Sequence, residues 1–598
     1  MSPLKPGRYH LAIEGMTCAH CATRVQRALE QAGARAVEAD FRRGEAVFDL
    51  PQPADAEDLR AAVREAGYEP GALKSLEPQP ASGGGPAQVV PAPGGGLPVQ
   101  TPPAPHVPAT AVPATAGVTT AAGANPGEAY DLVIVGSGSA AFAAAIEATQ
   151  AGARVAMVER GVVGGTCVNI GCVPSKTLLR AAEVYFRARH HPFAGIATQA
   201  GPVDLPLLIG QKNELVSRLR YEKYECLVGT YGFDLVRGEG RFVDAHILEV
   251  VDPASGSVTH TLRAKAFLIA TGASPAIPEV PGLEAVDFLT STSALNLRRL
   301  PESVAVIGAG YIALELGQFF RHLGARVTIM QRSPELLKTY DPEIRDTVRR
   351  MLDEHGIEVL TGVRYLGVDQ AGGMKRVRLE VAGAERAVEA EALLVATGRR
   401  PNTAALQLDK AGVRTGSRGE VVVDDQLRTS VPHIFAAGDV TMGPQFVYVA
   451  AYQGALAARN AVRGAGERVD LRAVPRVTFT TPAIASVGLT EEQARAAGRP
   501  VRVSVLPLDA VPRALANRET TGVFKLVADA GTGRLLGAHV VAENAGDVIY
   551  AATLAVKFGL TVEDLRSTLA PYLTMAEGLK LAALGFETDV SRLSCCAG

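Results

Sequence analysis

Tryptophan is absent from the 598 residues and aromatic side chains make up only 5% of them, a bias that genome composition or a hot habitat would each produce. An excess of either charge is missing too. Sixty basic against sixty-two acidic residues leave a net charge of −2, which argues against electrostatic attraction to nucleic acid or to an anionic membrane. No run of about eighteen apolar residues occurs, which excludes a long helical membrane span. The start of the chain also lacks a basic region followed by an apolar core and a cleavage site, so a cytoplasmic address is expected. Cysteine is scarce, with seven residues. In a reducing compartment structural disulfides are rare, so these cysteines are expected to bind metal or do chemistry.

Six of the seven cysteines fall in pairs: Cys18 with Cys21, Cys167 with Cys172, and Cys595 with Cys596. Three such pairs suggest a relay for something thiophilic, while Cys226 reads as an ordinary core or surface residue. The chain is 47% apolar and long enough for three to five domains. A strand at Tyr9 to Ile13, a helix at Ala19 to Gln31, strands at Ala36 to Phe41 and Glu45 to Leu50, a helix at Ala54 to Ala66 and a last strand predict a small ferredoxin-like βαββαβ unit. A stretch of Pro, Ala and Gly follows from about 77 to 127; it cannot bury a core and reads as an extended tether.

The body opens with a βαβ unit, strand Leu132 to Val135, a glycine turn, a helix, and strand Arg154 to Val158 ending at Glu159. A second unit of the same design starts at Val304 to Ile307, so two dinucleotide-binding domains and two nucleotides are expected. The first turn, Gly136-Ser137-Gly138-Ser139-Ala140-Ala141, has Gly136 for the tight turn, Gly138 for close approach of a pyrophosphate and Ala141 for helix packing. Glu159 can accept from a ribose hydroxyl. The second turn carries Gly308, Gly310 and Ala313, and Arg332 stands where an acid would select an unphosphorylated ribose; Arg332 can pair with a 2′-phosphate, which favours NADPH. After Val474 the pattern changes to strands Arg476 to Thr480, Gly522 to Ala528 and Leu535 to Val541 with helices Ala545 to Phe558 and Met575 to Leu584, an α+β domain.

Between the repeats stands Gly164-Gly165-Thr166-Cys167-Val168-Asn169-Ile170-Gly171-Cys172-Val173-Pro174-Ser175-Lys176. Two cysteines five apart can meet at the start of a helix, where free amides lower a thiol pKa, and nothing nearby completes a zinc site. This segment resembles the active site of flavin-dependent pyridine nucleotide-disulfide oxidoreductases. The order of Ala270-Thr271-Gly272, Ala396-Thr397-Gly398-Arg399-Arg400-Pro401-Asn402 and Phe435-Ala436-Ala437-Gly438-Asp439 extends that resemblance over about 450 residues. It implies FAD as the first nucleotide, bound by Gly136, Gly138, Ala141, Glu159, Gly165, Thr166, Lys176, Thr271, Gly272 and Asp439, with Lys176 near the flavin. Cys172 then lies against the flavin and Cys167 exchanges ligands. Gly308, Gly310, Ala313, Arg332 and Gly398 would hold NADPH.

Thiol-producing members of this family carry a C-terminal histidine as acid-base catalyst. Here Tyr572-Leu573-Thr574-Met575-Ala576-Glu577 puts a phenol there, a poor proton carrier near pH 7. Reduction of a thiolate-bound metal needs no proton on sulfur. Adjacent thiolates at Cys595 and Cys596 can pass a soft ion by ligand exchange. Together with Ser594-Cys595-Cys596-Ala597-Gly598 and Tyr224, the body is similar to the mercuric-ion-reducing branch of the family. Gly15-Met16-Thr17-Cys18-Ala19-His20-Cys21 resembles the metal loop of heavy-metal-associated domains, with His20 read as solvated.

These resemblances imply an α/β fold with FAD and NADPH domains, a C-terminal α+β dimerisation domain and a small metal-binding domain in front. The implied boundaries are 1–76 for the metal-binding domain, 77–127 for the linker, 128–300 and 401–472 for the two parts of the FAD domain, 301–400 for the NADPH domain and 473–598 for dimerisation. The implied function is NADPH-dependent reduction of Hg(II), presented as thiolate complexes, to Hg(0). Cys167, Cys172, Tyr224, Tyr572, Cys595 and Cys596 would be catalytic, and Cys18, Cys21, Cys167, Cys172, Cys595 and Cys596 would bind the metal. A homodimer with shared active sites is implied, without nucleic acid or membrane insertion, and with transient hand-off from a mercury transporter. Competing readings are a disulfide reductase, against which Tyr572 stands, and a non-catalytic metal carrier, which would leave two nucleotide turns without purpose.

Overall fold

The computed structural model describes residues 4–14, 19–40, 43–76, 129–589 and 592. The expectations for Cys18, for Cys595 and Cys596 and for the tether at 77–127 lie outside these residues; the backbone of Cys21 falls on the first helix. Two units divide the chain, 1–120 and 121–598. Among the described residues no helix is long and apolar enough to cross a membrane.

The small unit has the order strand Gly7–Glu14, helix Ala19–Gln31, strands Arg35–Asp40 and Glu45–Leu50, helix Ala56–Glu65 and strand Glu69–Ser75. Alternation along the first strand turns Tyr9, Leu11 and Ile13 inward, and antiparallel pairing sets Tyr9 opposite Phe48 and Leu11 opposite Ala46. Val25, Leu29, Leu59 and Val63 from the two helices close that face, giving a ferredoxin-like unit with its own core.

In the larger unit the first sheet runs in parallel through Asp234–Arg237, Val155–Glu159, Tyr130–Val135 and Val258–Ile269. The helices Ser139–Gln150 and Val447–Arg463 cover one face, and the strands Glu239–Asp244 and Ile247–Val251 with the segment 406–421 cover the other, so Leu132, Val133 and Ile134 are all fully buried and the strand reads as an unbroken apolar run. The late strand Ile434–Ala436 returns to pair in parallel with Val258–Ile269, which brings Asp439 to this domain. The helix Val447–Arg463 then crosses Ser139–Gln150 so closely that a Cβ on Gly454 would lie 2.0 Å from the Ala140 carbonyl oxygen. Only glycine permits that crossing.

The second parallel sheet has the order Ile357–Thr361, Arg326–Gln331, Ser303–Ile307 and Ala392–Val395, flanked by the antiparallel strands Arg364–Ala371, Met374–Val381 and Ala384–Ala390. The C-terminal sheet is antiparallel, with order Arg476–Thr478, Ala483–Gly488, Leu535–Ala542, Val523–Asp529 and Val501–Pro507. The strand expected to reach Thr480 ends at Thr478, because the chain turns away to let Thr481 N–H donate to Gln318 Oε1 at 2.6 Å. The last helix begins at Glu577 rather than Met575; Leu573 takes a positive φ of 61° and Gly578 N–H closes a turn on the Met575 carbonyl. Lys525, on the strand Val523–Asp529, is wholly buried and paired with Asp341, Glu343 and Glu491 at 3.3, 2.8 and 2.9 Å.

Candidate active site at the Cys167 and Cys172 pair

The first glycine turn is built for close approach. Gly136 has φ +108°, and a Cβ there would lie 2.4 Å from the Ala270 carbonyl oxygen. Gly138 starts the helix Ser139–Gln150 without a side-chain cap, which leaves its first amides for a ligand. Gly165, at φ +65°, sits against it, since a Cβ on Gly165 would fall 2.6 Å from Gly138 Cα. Ala141 is buried under the turn. Beyond it opens a cavity of about 930 Å³ lined by Gly136, Glu159, Thr271, Arg400 and Asn402. The Glu159 carboxylate accepts from Ser137 Oγ and from Gly161 N–H, each at 2.5 Å, and Thr271 Oγ1 donates to the Asn402 carbonyl at 2.8 Å.

On the other side of the turn a cleft of about 1040 Å³ is lined by Thr166, Cys167, Cys172, Gly272, Tyr311 and Asp439 among others. Cys167 lies half-buried on the short helix Gly165–Ile170, and Cys172 is the first residue of Cys172–Arg187 and more exposed. Gly171 separates the two helices; a Cβ there would meet the Thr166 carbonyl oxygen at 2.9 Å. The thiols hydrogen-bond to each other. Chiefly through that bond from Cys167, and with the charge of Lys176 one turn along, Cys172 is pulled down to about 7, against burial and the charge of Glu315. The same bond and burial push Cys167 up. The neighbouring thiol and the Lys176 charge outweigh the helix-start amide in lowering Cys172, and the pair shares one proton near neutrality.

Lys176 donates to Glu315 Oε2 at 2.7 Å and lies over the Phe479 ring at 4.7 Å, while Glu315 Oε1 accepts Phe479 N–H at 2.9 Å. Tyr224 stands on a π-helical turn, Tyr221–Glu225, that widens the end of the helix Leu205–Arg220. Its ring meets Phe142 edge to face at 4.9 Å and packs on Gly164. Burial pushes its phenol pKa up, and so do the nearby thiols, outweighing a hydrogen bond with Ser139; Tyr224 therefore stays protonated. Burial also raises Asp439, opposed by Arg399 with Nε 3.7 Å from Oδ2. That separation is too long for a hydrogen bond, and Arg399 Nε is buried without a partner.

The second turn repeats the first. Gly308 has φ +105° and its Cβ would lie 2.4 Å from the Ala396 carbonyl oxygen. Gly310 precedes the helix Tyr311–His322, Ala313 is buried beneath it, and Gly398 at φ +116° has open space beside it. Arg332 follows the strand Arg326–Gln331 and is exposed. Tyr311, at the start of this helix, lines the cysteine cleft, so the two sites share a wall.

Tyr572 is not brought into the cleft of its own chain; it is 50% exposed before the last helix. Glu315 and Arg399 were not singled out from the sequence as site residues. Glu315 had a signal, being the single acid on a helix of apolar and small residues, where a buried carboxylate needs a partner. Arg399 had none beyond its place in a motif. Orphaned Arg399 Nε, the buried Asp439 carboxyl and the open turn at Gly136 and Gly138 together fit a phosphate- and hydroxyl-bearing cofactor spanning both cavities.

Residues 130–454 match the profile of the pyridine nucleotide-disulphide oxidoreductases, 474–583 that of their dimerisation domain, and 10–69 that of the heavy-metal-associated domain. A mercuric reductase of Staphylococcus aureus is 54% identical over 99% of this chain and 99% of its own, and one of Shigella flexneri is 41% identical over 98% and 100%. Among solved structures, the HOCl-induced flavoprotein disulfide reductase RclA from Escherichia coli superposes with a TM-score of 0.67 at 31% identity, covering 76% of this chain and 99% of that one. The turns, the thiol pair and a match over nearly the whole length agree: the chain belongs to the pyridine nucleotide-disulphide oxidoreductase family, whose members use a flavin and a nicotinamide nucleotide, with a dimerisation domain behind and a heavy-metal-associated domain in front.

Proposed function

We propose that the chain reduces Hg(II) to Hg(0) on the Cys167 and Cys172 thiols, using FAD and NADPH. The observation that carries this reading is the thiol pair itself, with one member titrating near 7 beside Lys176 at the mouth of a large cleft. The mercuric reductases that match the chain end to end support it.

Gly136, Gly138, Ala141, Glu159, Gly165, Thr166, Thr271, Gly272 and Asp439 would hold FAD, with Lys176 beside its ring; Gly308, Gly310, Ala313, Arg332 and Gly398 would hold NADPH. When bound, these cofactors supply two electrons per turnover, so that NADPH and Hg(II) give NADP⁺, a proton and Hg(0). Hg(II) is soft and prefers thiolate to the oxygen and nitrogen donors around it. Cys167 exchanges ligands with the incoming complex and gives up the proton that the pair shares, and the Cys172 thiolate, available near pH 7, completes the metal's pair of sulfurs. Lys176 balances the negative charge of the thiolates. Tyr224, held protonated, offers a neutral oxygen instead of a third anion. Hg(0) carries no charge for the thiolates to hold, and it leaves.

The active species in this reading is a cytoplasmic homodimer in which Tyr572, Cys595 and Cys596 of one subunit serve the thiol pair of the other. The exposure of Tyr572 away from its own cleft supports that arrangement, as does the apolar stripe of Tyr550, Leu554 and Phe558, 63, 38 and 70% exposed, on the helix Ala545–Phe558. Cys18 and Cys21 collect the ion, including any handed over by a mercury transporter. The test is anaerobic: Hg(II)-dependent NADPH oxidation with evolution of volatile mercury, abolished in Cys167→Ala. NADPH consumption without mercury release, or equal turnover of an oxidised disulfide, would sink the reading.

A further inference from the structure

The carbonyls around Arg332 are held from one side by a single short segment. Gly362 N–H donates to the Ser333 carbonyl at 2.9 Å and Val363 N–H to the Gln331 carbonyl at 3.1 Å. Tyr365 Oη donates to the Met330 carbonyl at 2.8 Å. That carbonyl also accepts the Gly308 N–H at 2.8 Å, so one oxygen ties the glycine turn, the end of the strand Arg326–Gln331 and the start of Arg364–Ala371 together. The Tyr365 ring packs with Met330 and Val363 in the core under the turn.

Arg332 sits within this bracket with its side chain exposed, and among the described residues no carboxylate pairs with it. By contrast, exposed Arg364 is paired with Glu380 and half-buried Arg345 with Glu335. A cation on a fixed backbone, next to the amides of a glycine turn and free of an internal partner, is ready to meet an anion. The backbone supplies most of the fixing, and the Tyr365 hydroxyl adds a side-chain hydrogen bond from across the bracket.

We propose that Tyr365 is a positioning residue for coenzyme choice: by pinning the Met330 carbonyl it holds Arg332 where the guanidinium meets the 2′-phosphate of the nucleotide. This rests on the reading of Arg332 as the NADPH-selecting residue. Loss of the hydroxyl leaves the Gly308 bond and the ring packing in place, so the turn persists while the strand end beyond it loosens. Binding of the pyrophosphate and nicotinamide halves is then retained, and discrimination at the 2′ position falls.

The experiment measures equilibrium binding of NADP⁺ and of NAD⁺ to the full-length flavin-loaded protein and to Tyr365→Phe, Arg332→Ala and the double variant. Loss of one hydrogen bond's worth of ordering weakens NADP⁺ by about fivefold in Tyr365→Phe, while NAD⁺ changes by less than about twofold. Arg332→Ala weakens NADP⁺ by more than about tenfold, and adding Tyr365→Phe to it changes neither affinity further, because the two act through one contact. Equal weakening of both nucleotides in Tyr365→Phe, or additive losses in the double variant, overturns the role of Tyr365. An NADP⁺ to NAD⁺ ratio untouched by Arg332→Ala overturns instead the NADPH reading beneath it.

Discussion

Lys176 and Glu315 meet at 2.7 Å although they lie 139 positions apart, one on the helix that carries Cys172 and the other on the helix that opens the second nucleotide turn. Glu315 is buried and also accepts the Phe479 amide from the C-terminal domain, so one carboxylate joins all three parts of the body. The charges act on Cys172 in opposite senses, Lys176 lowering its pKa and Glu315 raising it. Glu315→Gln keeps an acceptor for Phe479 but removes the opposing charge. The Cys172 thiolate then forms at lower pH than in the parent, whereas Lys176→Gln shifts it upward; ultraviolet thiolate absorbance against pH reads both shifts.

Cys172 reacts as an anion above about pH 7. Its alkylation by iodoacetamide in the reduced protein is expected to fall about tenfold for each pH unit below that point. Cys167→Ala removes the largest cause of the depression, and the midpoint moves up toward the ordinary thiol value near 8.5. A midpoint unchanged in that variant would contradict the hydrogen-bonded pair.

Gly165→Ala places a methyl 2.6 Å from Gly138 Cα, backbone against backbone, at a φ of +65° that disfavours alanine. Either the first turn opens or the helix Gly165–Ile170 shifts. Purified Gly165→Ala should therefore retain much less flavin than the parent, seen as lost visible absorbance per chain.

Lys525 is fully buried beside buried Asp341 and also reaches Glu343 and Glu491, which keep partial contact with solvent, Glu491 being shared with Arg495. Asp341 further accepts Glu491 N–H at 3.0 Å, so the cluster clamps the second nucleotide domain to the C-terminal sheet. Lys525→Met strands the buried Asp341 carboxylate, and a cost of about 3–5 kcal/mol follows, measured as a lower denaturation midpoint in urea. Lys525 and Arg495 hold Glu491 below the usual carboxylate range, so the part of the gap that comes from Glu491 should close as the pH falls through that lowered value.

Tyr550, Leu554 and Phe558 recur every fourth residue on one helix face. Replacing Tyr550 and Phe558 together by aspartate is expected to convert a dimer into monomers by light scattering. The monomers should lose mercury evolution while keeping Cys172 alkylation.

The glycine turns, the thiol segment and the small unit were legible because each is written in contiguous residues, where spacing alone dictates backbone shape. The ferredoxin-like small unit followed from the order of its strands and helices, which the structure repeats. What escaped is what depends on partners far along the chain. Lys525 sits on a strand whose alternation gives no hint that three acids from other segments enclose it. Gly454 is an unremarkable helical glycine until Ala140 arrives against it. The π-helical turn at Tyr224 has no local signature either.

Gly171 lets two separate helices present their sulfurs to each other within a stretch of only six residues, Cys167 to Cys172. A ring that small restrains the unfolded chain by only about 2 kcal/mol when it closes, against nearly 5 for a loop of a hundred residues. Opening it therefore withdraws little from the fold. Closing or opening a ring at that pair leaves the domains around it equally secure, which separates the protein's chemistry from its durability.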